Sequence, residues 1–310
     1  MGSVRDVSPV VEVEHLSKSY STGVLRRGRS RGVDDVSFVA HRGDVVGLLG
    51  PNGSGKTTII RTLLGLLRPT GGTARVFGAD VAGADPAWRA RTGYVPGEPG
   101  LYGTMRVGEF LDLLAGLRGG AGARRRGELC ERLGLRTEGR IAQLSKGTRQ
   151  KVALVQAFMH DPDLLVLDEP TSGLDPIVQR EFDAMIDECR ARGATVLLSS
   201  HVMAEVERLA SRVAVVHEGR LALVDDMEAL RARAPRRLDL EFAAPVPASA
   251  LAGVDGVRGV VAAARTVLSC RVVGSEAPVL RAALDLGLVG VQSREQSLEE
   301  VFLSVVDGSS

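Results

Sequence analysis

Lysine is scarce in this chain. Of 39 cationic side chains in 310 residues only four are lysines, Lys18, Lys56, Lys146 and Lys151, and the rest are arginines. Net charge is missing too: 38 Asp and Glu leave +1 at pH 7. That balance excludes a general nucleic-acid scavenger and an acidic or basic tail. Cysteine is limited to Cys130, Cys189 and Cys270, an odd number placed far apart. They form neither a disulfide framework nor a CxxC metal pattern, and are expected as small buried thiols in a reducing compartment. No apolar run approaches the ~18 residues of a membrane-spanning helix. The best, 45–49 and 164–167, are strand-length. The first 14 residues carry Arg5, Asp6, Glu12 and Glu14 and no apolar core, so no signal peptide is expected. What is present is a chain 44 % hydrophobic and 25 % charged, enough for a sizeable core in one large domain or two ordinary ones.

Patterning predicts strands at 10–14, 36–39 and 45–49, the last apolar throughout, as in a strand buried on both faces. Residues 21–32, carrying Arg26, Arg27, Arg29 and Arg31, read as a solvated loop or as a loop facing an anionic surface. Helical spacing follows at 106–118 and 124–133 around a Gly-rich break, then at 149–160, 176–192 and 204–211. Strands at 164–167, 195–199 and 213–217 alternate with these helices and predict a mostly parallel α/β sheet. Composition shifts near 229–237. Beyond it, strands at 238–242, 257–263, 267–273 and 289–292 and helical stretches at 247–251 and 278–286 suggest a small ferredoxin-like α+β module, followed by a helix at 298–306.

Gly50-Pro51-Asn52-Gly53-Ser54-Gly55-Lys56-Thr57 fits G-x-x-x-x-G-K-[ST], runs on into Thr58, and lies between a predicted strand and an apolar helical run. Glycine lets the backbone approach phosphate closely, and N–H groups at a helix start face the anion. Lys56 supplies a compact charge to the β- and γ-phosphates, and Thr57 a hydroxyl to Mg²⁺. Leu164-Leu165-Val166-Leu167-Asp168-Glu169 places a carboxylate pair at the end of a buried strand, where α/β sheets put ligands. Asp168 is the candidate Mg²⁺ residue and Glu169 the candidate to orient or activate water.

Leu144-Ser145-Lys146-Gly147-Thr148 begins 24 residues before Asp168. With it the chain resembles the ATP-binding-cassette (ABC) family, whose signature is L-S-G-G-Q. Ser145 and Gly147 match; Lys146 and Thr148 depart. The resemblance spans about residues 10–225 and implies a P-loop NTPase fold with a mostly parallel sheet, an antiparallel β subdomain and a helical subdomain at about 93–160. The cassette is expected over 10–228 and a separate C-terminal domain over 236–310. It further implies that Ser145 and Gly147, with Lys146 either directed inward or projecting into solvent, meet the nucleotide of a second copy in a head-to-tail homodimer. Asp175, in Ser172-Gly173-Leu174-Asp175, takes the place of the D-loop aspartate, His201 of the switch histidine that contacts the γ-phosphate, and Tyr20 of the adenine-stacking aromatic. One further departure stands out: after Tyr94-Val95-Pro96 the family's glutamine is replaced by Gly97, followed by Glu98.

The stretch Ser297-Leu298-Glu299-Glu300-Val301-Phe302-Leu303 is similar to the tail of drug-exporter ATPase subunits of the daunorubicin-resistance, ABC-2 type. The resemblance therefore implies an ATP- and Mg²⁺-dependent subunit, peripheral on the cytoplasmic face of the cell membrane, that powers a separate integral permease exporting a drug-like or lipophilic molecule. Two other readings are an ABC ATPase acting on the ribosome or DNA and an importer ATPase with a regulatory C-terminal domain. Single copies of each motif and near-zero charge weigh against the first; the tail and the Gly97-Glu98 loop weigh against the second.

Overall fold

Alternating apolar residues at the start of the chain fold as β1 (Val11–Ser21) and β2 (Arg29–Ala40), a long antiparallel pair. The computed structural model describes residues 8–21, 29–83, 86–233 and 236–295. The expected strands of 4–5 residues run further because bulges at His15 and Asp35, both in the left-handed region (φ 50° and 56°), let pairing continue past the alternation. Both ends of the stretch read as a loop belong to these strands, and its basic centre lies outside the described residues. β3 (Val45–Leu49) leads through the glycine-rich turn into α1 (Lys56–Leu63). β4 (Gly71–Val76) and β5 (Ala79–Asp80) join β1 and β2 in a four-stranded sheet.

β6 (Thr92–Val95) precedes three helices, α2 (Val107–Leu117), α3 (Ala123–Arg132) and α4 (Lys146–Phe158). The helical subdomain expected from residue 93 therefore begins later. Residues 92–95 pair in parallel with 164–167, and α4 lies so close that a Cβ on Gly93 would meet Ala157 O at 2.2 Å. α4 starts at Lys146 rather than 149 because the Ser145 hydroxyl accepts from Thr148 N and caps the helix. β7 (Leu164–Asp168), α5 (Pro176–Ala191), β8 (Thr195–Ser200), α6 (Met203–Leu209), β9 (Arg212–His217) and β10 (Arg220–Asp226) follow.

These strands form a six-stranded sheet of order β10-β9-β3-β8-β7-β6, with β9, β3, β8, β7 and β6 parallel. β3, β7 and β8 are buried along their whole length, so both faces are covered. One face packs Val46, Leu48, Val166 and Leu197 against α1 and the four-stranded sheet. α6 sits on the other face, where Gly47 leaves room for Val206: a Cβ there would lie 2.5 Å from Val206 Cγ1. The parallel register sets Leu49 opposite Ser200, and Asp168 opposite Ser199. The carboxyl ends of β3, β7 and β8 thus converge on one edge.

The chain divides into two units, Met1–Val224 and Asp225–Ser310. The second contains α7 (Met227–Arg233), β11 (Arg236–Phe242), β12 (Val257–Ala264), β13 (Val267–Val272), α8 (Ala277–Asp285) and β14 (Leu288–Glu295). Its antiparallel sheet has the order β12-β13-β11-β14, the order of a split βαβ module, with a short 3₁₀ turn (Ala248–Ala250) in place of the first helix. Its core is Leu238, Leu240, Phe242, Leu268, Val272 and the α8 residues Val279 and Ala283. The drug-exporter-like tail helix expected at 298–306 lies outside the described residues. All three cysteines are buried and free.

Candidate functional site: a phosphate-binding groove at the strand ends

The glycine-rich turn closes tightly. A Cβ on Gly50 would lie 2.1 Å from Val216 O, and one on Gly55, at φ 114°, 2.7 Å from Gly32 O. Lys56 opens α1 and is 6 % exposed. Its ammonium curls back over the loop and donates to Gly50 O at 2.5 Å and Pro51 O at 3.1 Å. Burial pulls its pKa down from the ordinary lysine value, and the carboxylates of Glu169 and Asp168 work the other way. The loop thus holds a desolvated cation over its own carbonyls, with acids in front of it. Tyr20, Gly32, Asn52, Gly53, Gly55, Lys56, Thr57, Thr58 and Glu169 line one groove. The Tyr20 hydroxyl shares a 3.1 Å hydrogen bond with Thr58 Oγ1, so the ring borders the groove with its edge fastened to α1. Ser54 differs from its neighbours: it is buried beneath the loop and its N–H donates to Pro51 O.

Asp168, 3 % exposed, accepts from Thr57 Oγ1 at 3.0 Å and from Ser199 Oγ at 2.5 Å. Glu169 follows in the left-handed region, φ 49°, where a residue with a Cβ is strained. Its N–H donates to both Ser199 O and Ser199 Oγ at 3.2 Å. That turn swings the Glu169 side chain toward His201, whose Nδ1–H donates to Oε2 at 2.8 Å. His201 is about half exposed, so the pair faces the open side.

The signature stretch lies elsewhere. Ser145 and Lys146 are exposed, and Lys146 Nζ donates to Ser172 Oγ at 2.9 Å in the same chain. Gly147 packs against the loop after Glu169: a Cβ would lie 2.4 Å from Gly173 O. Asp175 caps α5, accepting from Ile177 N and Val178 N at 3.0 Å. Those bonds hold its carboxyl below the usual range. Ser145, Lys146, Gly147 and Asp175 are therefore not brought to the groove within one chain. Gly97 lies against Asp168, where a Cβ would sit 3.6 Å from the carboxylate, while Glu98 is exposed.

A family model described as ABC transporter matches residues 33–172. The bacitracin transport ATP-binding protein BcrA of Bacillus licheniformis is 33 % identical over 76 % of this chain and 76 % of its own length. The chain belongs to the ABC transporter ATP-binding proteins. The probable multidrug ABC transporter ATP-binding protein YbhF of Escherichia coli is 37 % identical over 71 % of this chain, which spans only 38 % of YbhF. A solved ATP-binding subunit of an ABC transporter superposes with TM-score 0.66 at 33 % identity, covering 72 % of this chain and 92 % of that one. A dimeric cassette, MJ0796, bound to ADP and Pi has the same fold, with TM-score 0.62 at 22 % identity over 70 % of this chain and 98 % of that one.

In this ABC ATPase several side chains at the site carry no sequence motif. Ser199 joins Asp168 to the Glu169 backbone. Gln150, wholly buried on α4, donates to Pro170 O at 2.9 Å and ties the signature helix to the loop after Glu169. Glu205 on α6 accepts from Thr171 Oγ1 at 2.6 Å and from Ser200 Oγ at 2.5 Å. The one available signal was chemical: Ser199 and Ser200 follow the apolar run Val196-Leu197-Leu198, whereas Gln150, between Arg149 and Lys151, carries none.

Proposed function

We propose that this ABC ATPase powers the export of a drug-like or lipophilic molecule through a separate integral membrane permease. The observation that carries the catalytic part is the 2.8 Å Glu169–His201 pair, whose Glu169 lines a groove with Lys56 and Thr57, Thr57 being bonded to Asp168. Bacitracin transport and multidrug functions among its relatives support the exporter part. Among the described residues no helix is long and apolar enough to cross a membrane.

ATP lies with its phosphates on the N–H groups of the turn and the start of α1, and with adenine at Tyr20. Lys56 exchanges its loop carbonyls for phosphate oxygens, a rearrangement its partial desolvation favours. Thr57 Oγ1 and the Asp168 carboxylate are hard oxygen donors already in contact, a donor set that would hold Mg²⁺. When bound, Mg²⁺ neutralises phosphate charge. Glu169 then takes the proton of the attacking water, and His201, donating to Oε2, fixes the direction in which that carboxylate points. Two copies pair head to tail, each presenting Ser145, Lys146 and Gly147 to the groove of the other. No nucleic acid partner enters this scheme, and the chain works at the cytoplasmic face of the membrane.

The test is Glu169→Gln in the full chain. Hydrolysis falls at least a hundredfold while ATP binding persists. Normal hydrolysis by the variant refutes the base assignment. Recovery of the chain with ribosomes and not with membranes refutes the exporter reading.

A further inference from the structure

We infer that Glu205 is a positioning residue for hydrolysis, holding Glu169 and His201 in register from behind. The inference rests on the assignment of that pair as the hydrolytic site. Glu205 lies in the first turn of α6 and is 5 % exposed. Its two carboxylate oxygens are spoken for separately: Oε1 accepts from Thr171 Oγ1 at 2.6 Å and Oε2 from Ser200 Oγ at 2.5 Å. Thr171 stands two residues after Glu169. Ser200 stands immediately before His201. One rigid carboxylate therefore clamps the two backbone segments that carry the pair.

The clamp sits where the backbone needs holding. Glu169 keeps its left-handed conformation only because its surroundings over-determine it. On the strand side Ser199 receives its N–H; on the loop side Ser172 N donates to Glu169 O at 3.2 Å, and Thr171 is anchored to Glu205. Ser200 Oγ also receives Val202 N at 3.0 Å, so the same hydroxyl fixes the chain on both sides of His201. An apolar residue would seat α6 on the sheet without the cost of burying an acid. The acid instead joins the two segments on the far side of Ser199, whose hydroxyl already links Asp168 and the Glu169 N–H, and of the Glu169–His201 bond itself. Burial pushes the Glu205 carboxyl up from its ordinary value while the Ser200 and Thr171 hydroxyls favour its charged form, and two short bonds to one buried carboxyl group are suited to holding a geometry.

The experiment is a double-mutant cycle in the full-length protein. Glu205→Gln keeps the shape but offers one acceptor in place of two. Measured as steady-state hydrolysis, it lowers kcat at least fivefold, leaves KM for ATP within twofold, and leaves the thermal midpoint close to that of the parent. In a His201→Ala background the same substitution has less than a twofold further effect, because the geometry it maintains is already lost. Thr171→Val, which removes one donor at nearly constant volume, gives the same pattern and serves if Glu205→Gln does not fold. An equal loss of kcat with and without His201 marks a purely structural role and overturns the proposal, as does an unchanged kcat in Glu205→Gln. If Glu169→Gln and His201→Ala alone leave hydrolysis intact, the parent assignment fails, and that result needs no variant of Glu205.

Discussion

Replacing Ser199 by alanine isolates a single hydroxyl on which both acids depend. Ser199 is wholly buried, donates to Asp168 Oδ1 at 2.5 Å and accepts from Glu169 N at 3.2 Å. The bond to Asp168 is charge-assisted, and its removal costs about 1.5–3 kcal/mol. The second loss is smaller, because Ser199 O still receives the Glu169 N–H. No large void forms, since only one oxygen is removed. A total near 2 kcal/mol is expected, a fall of about 4–8 °C in the melting transition of a unit this size. Function suffers more selectively. Asp168 keeps only Thr57 among its hydroxyl donors, and the left-handed turn at Glu169 loses one of the contacts that hold it. If about 1.4 kcal/mol of the loss is felt in the transition state, kcat falls about tenfold. Thermal unfolding followed by circular dichroism and steady-state phosphate release measure the two effects on one preparation. A variant that melts within ~1 °C of the parent and hydrolyses ATP at the parental rate refutes the account of Ser199 as the joint between the acids.

Three further substitutions test packing and titration. Gly147→Ala drives a methyl to 2.4 Å from Gly173 O and destabilises by about 1–3 kcal/mol, whereas Gly97→Ala, with 3.6 Å to the Asp168 carboxylate, stays within about 0.5 kcal/mol; equal melting temperatures for the two refute the close contact of α4 with the loop. His160 is held neutral by burial, with Arg118 adding to the effect, and its pKa falls from 6.5 to about 4. Below pH 6.5 the unfolded chain binds a proton that the folded chain refuses until about pH 4, so stability drops as pH falls through that window. Discounted for partial exposure, the effect is about 1–2 kcal/mol. His160→Gln removes that part of the pH dependence in urea titrations at pH 7.5 and 4.5, and an unchanged slope contradicts the burial of a neutral ring.

Much of the fold was legible because its strongest signals are local. A five-residue apolar run before a glycine-rich turn fixes β3 and α1, and long amphipathic stretches fix α2 and α5. The elements that escaped are those whose stability is tertiary. β4 begins with two glycines and alternates weakly, and it is a strand because it pairs with β1. β6 is four residues long and exists by pairing with β7 beneath α4. Helical spacing becomes visible only after Arg149, three residues past the start of α4, because the Ser145 cap sets the beginning at Lys146.

The site divides along the same line. Lys56, Thr57, Asp168 and Glu169 could be read from the chain because each belongs to a contiguous pattern whose backbone geometry is local. Ser199, Ser200, Thr171 and Glu205 could not, because what joins them is the register of parallel strands. β3, β7 and β8 are buried on both faces, so their sequences carry no alternation to say which side chains meet. Only the pairing of Asp168 with Ser199, and of Leu49 with Ser200, brings hydroxyls from β8 behind the acids at the end of β7. Shifting that register by one residue would turn Ser199 to the opposite face. Asp168 would then lose the hydroxyl that donates to it and the Glu169 N–H the hydroxyl that accepts from it, although every residue of the sequence motifs would still be present. The motifs thus name the groups that meet ATP, while the register of β7 and β8 decides whether those groups are held where they can act.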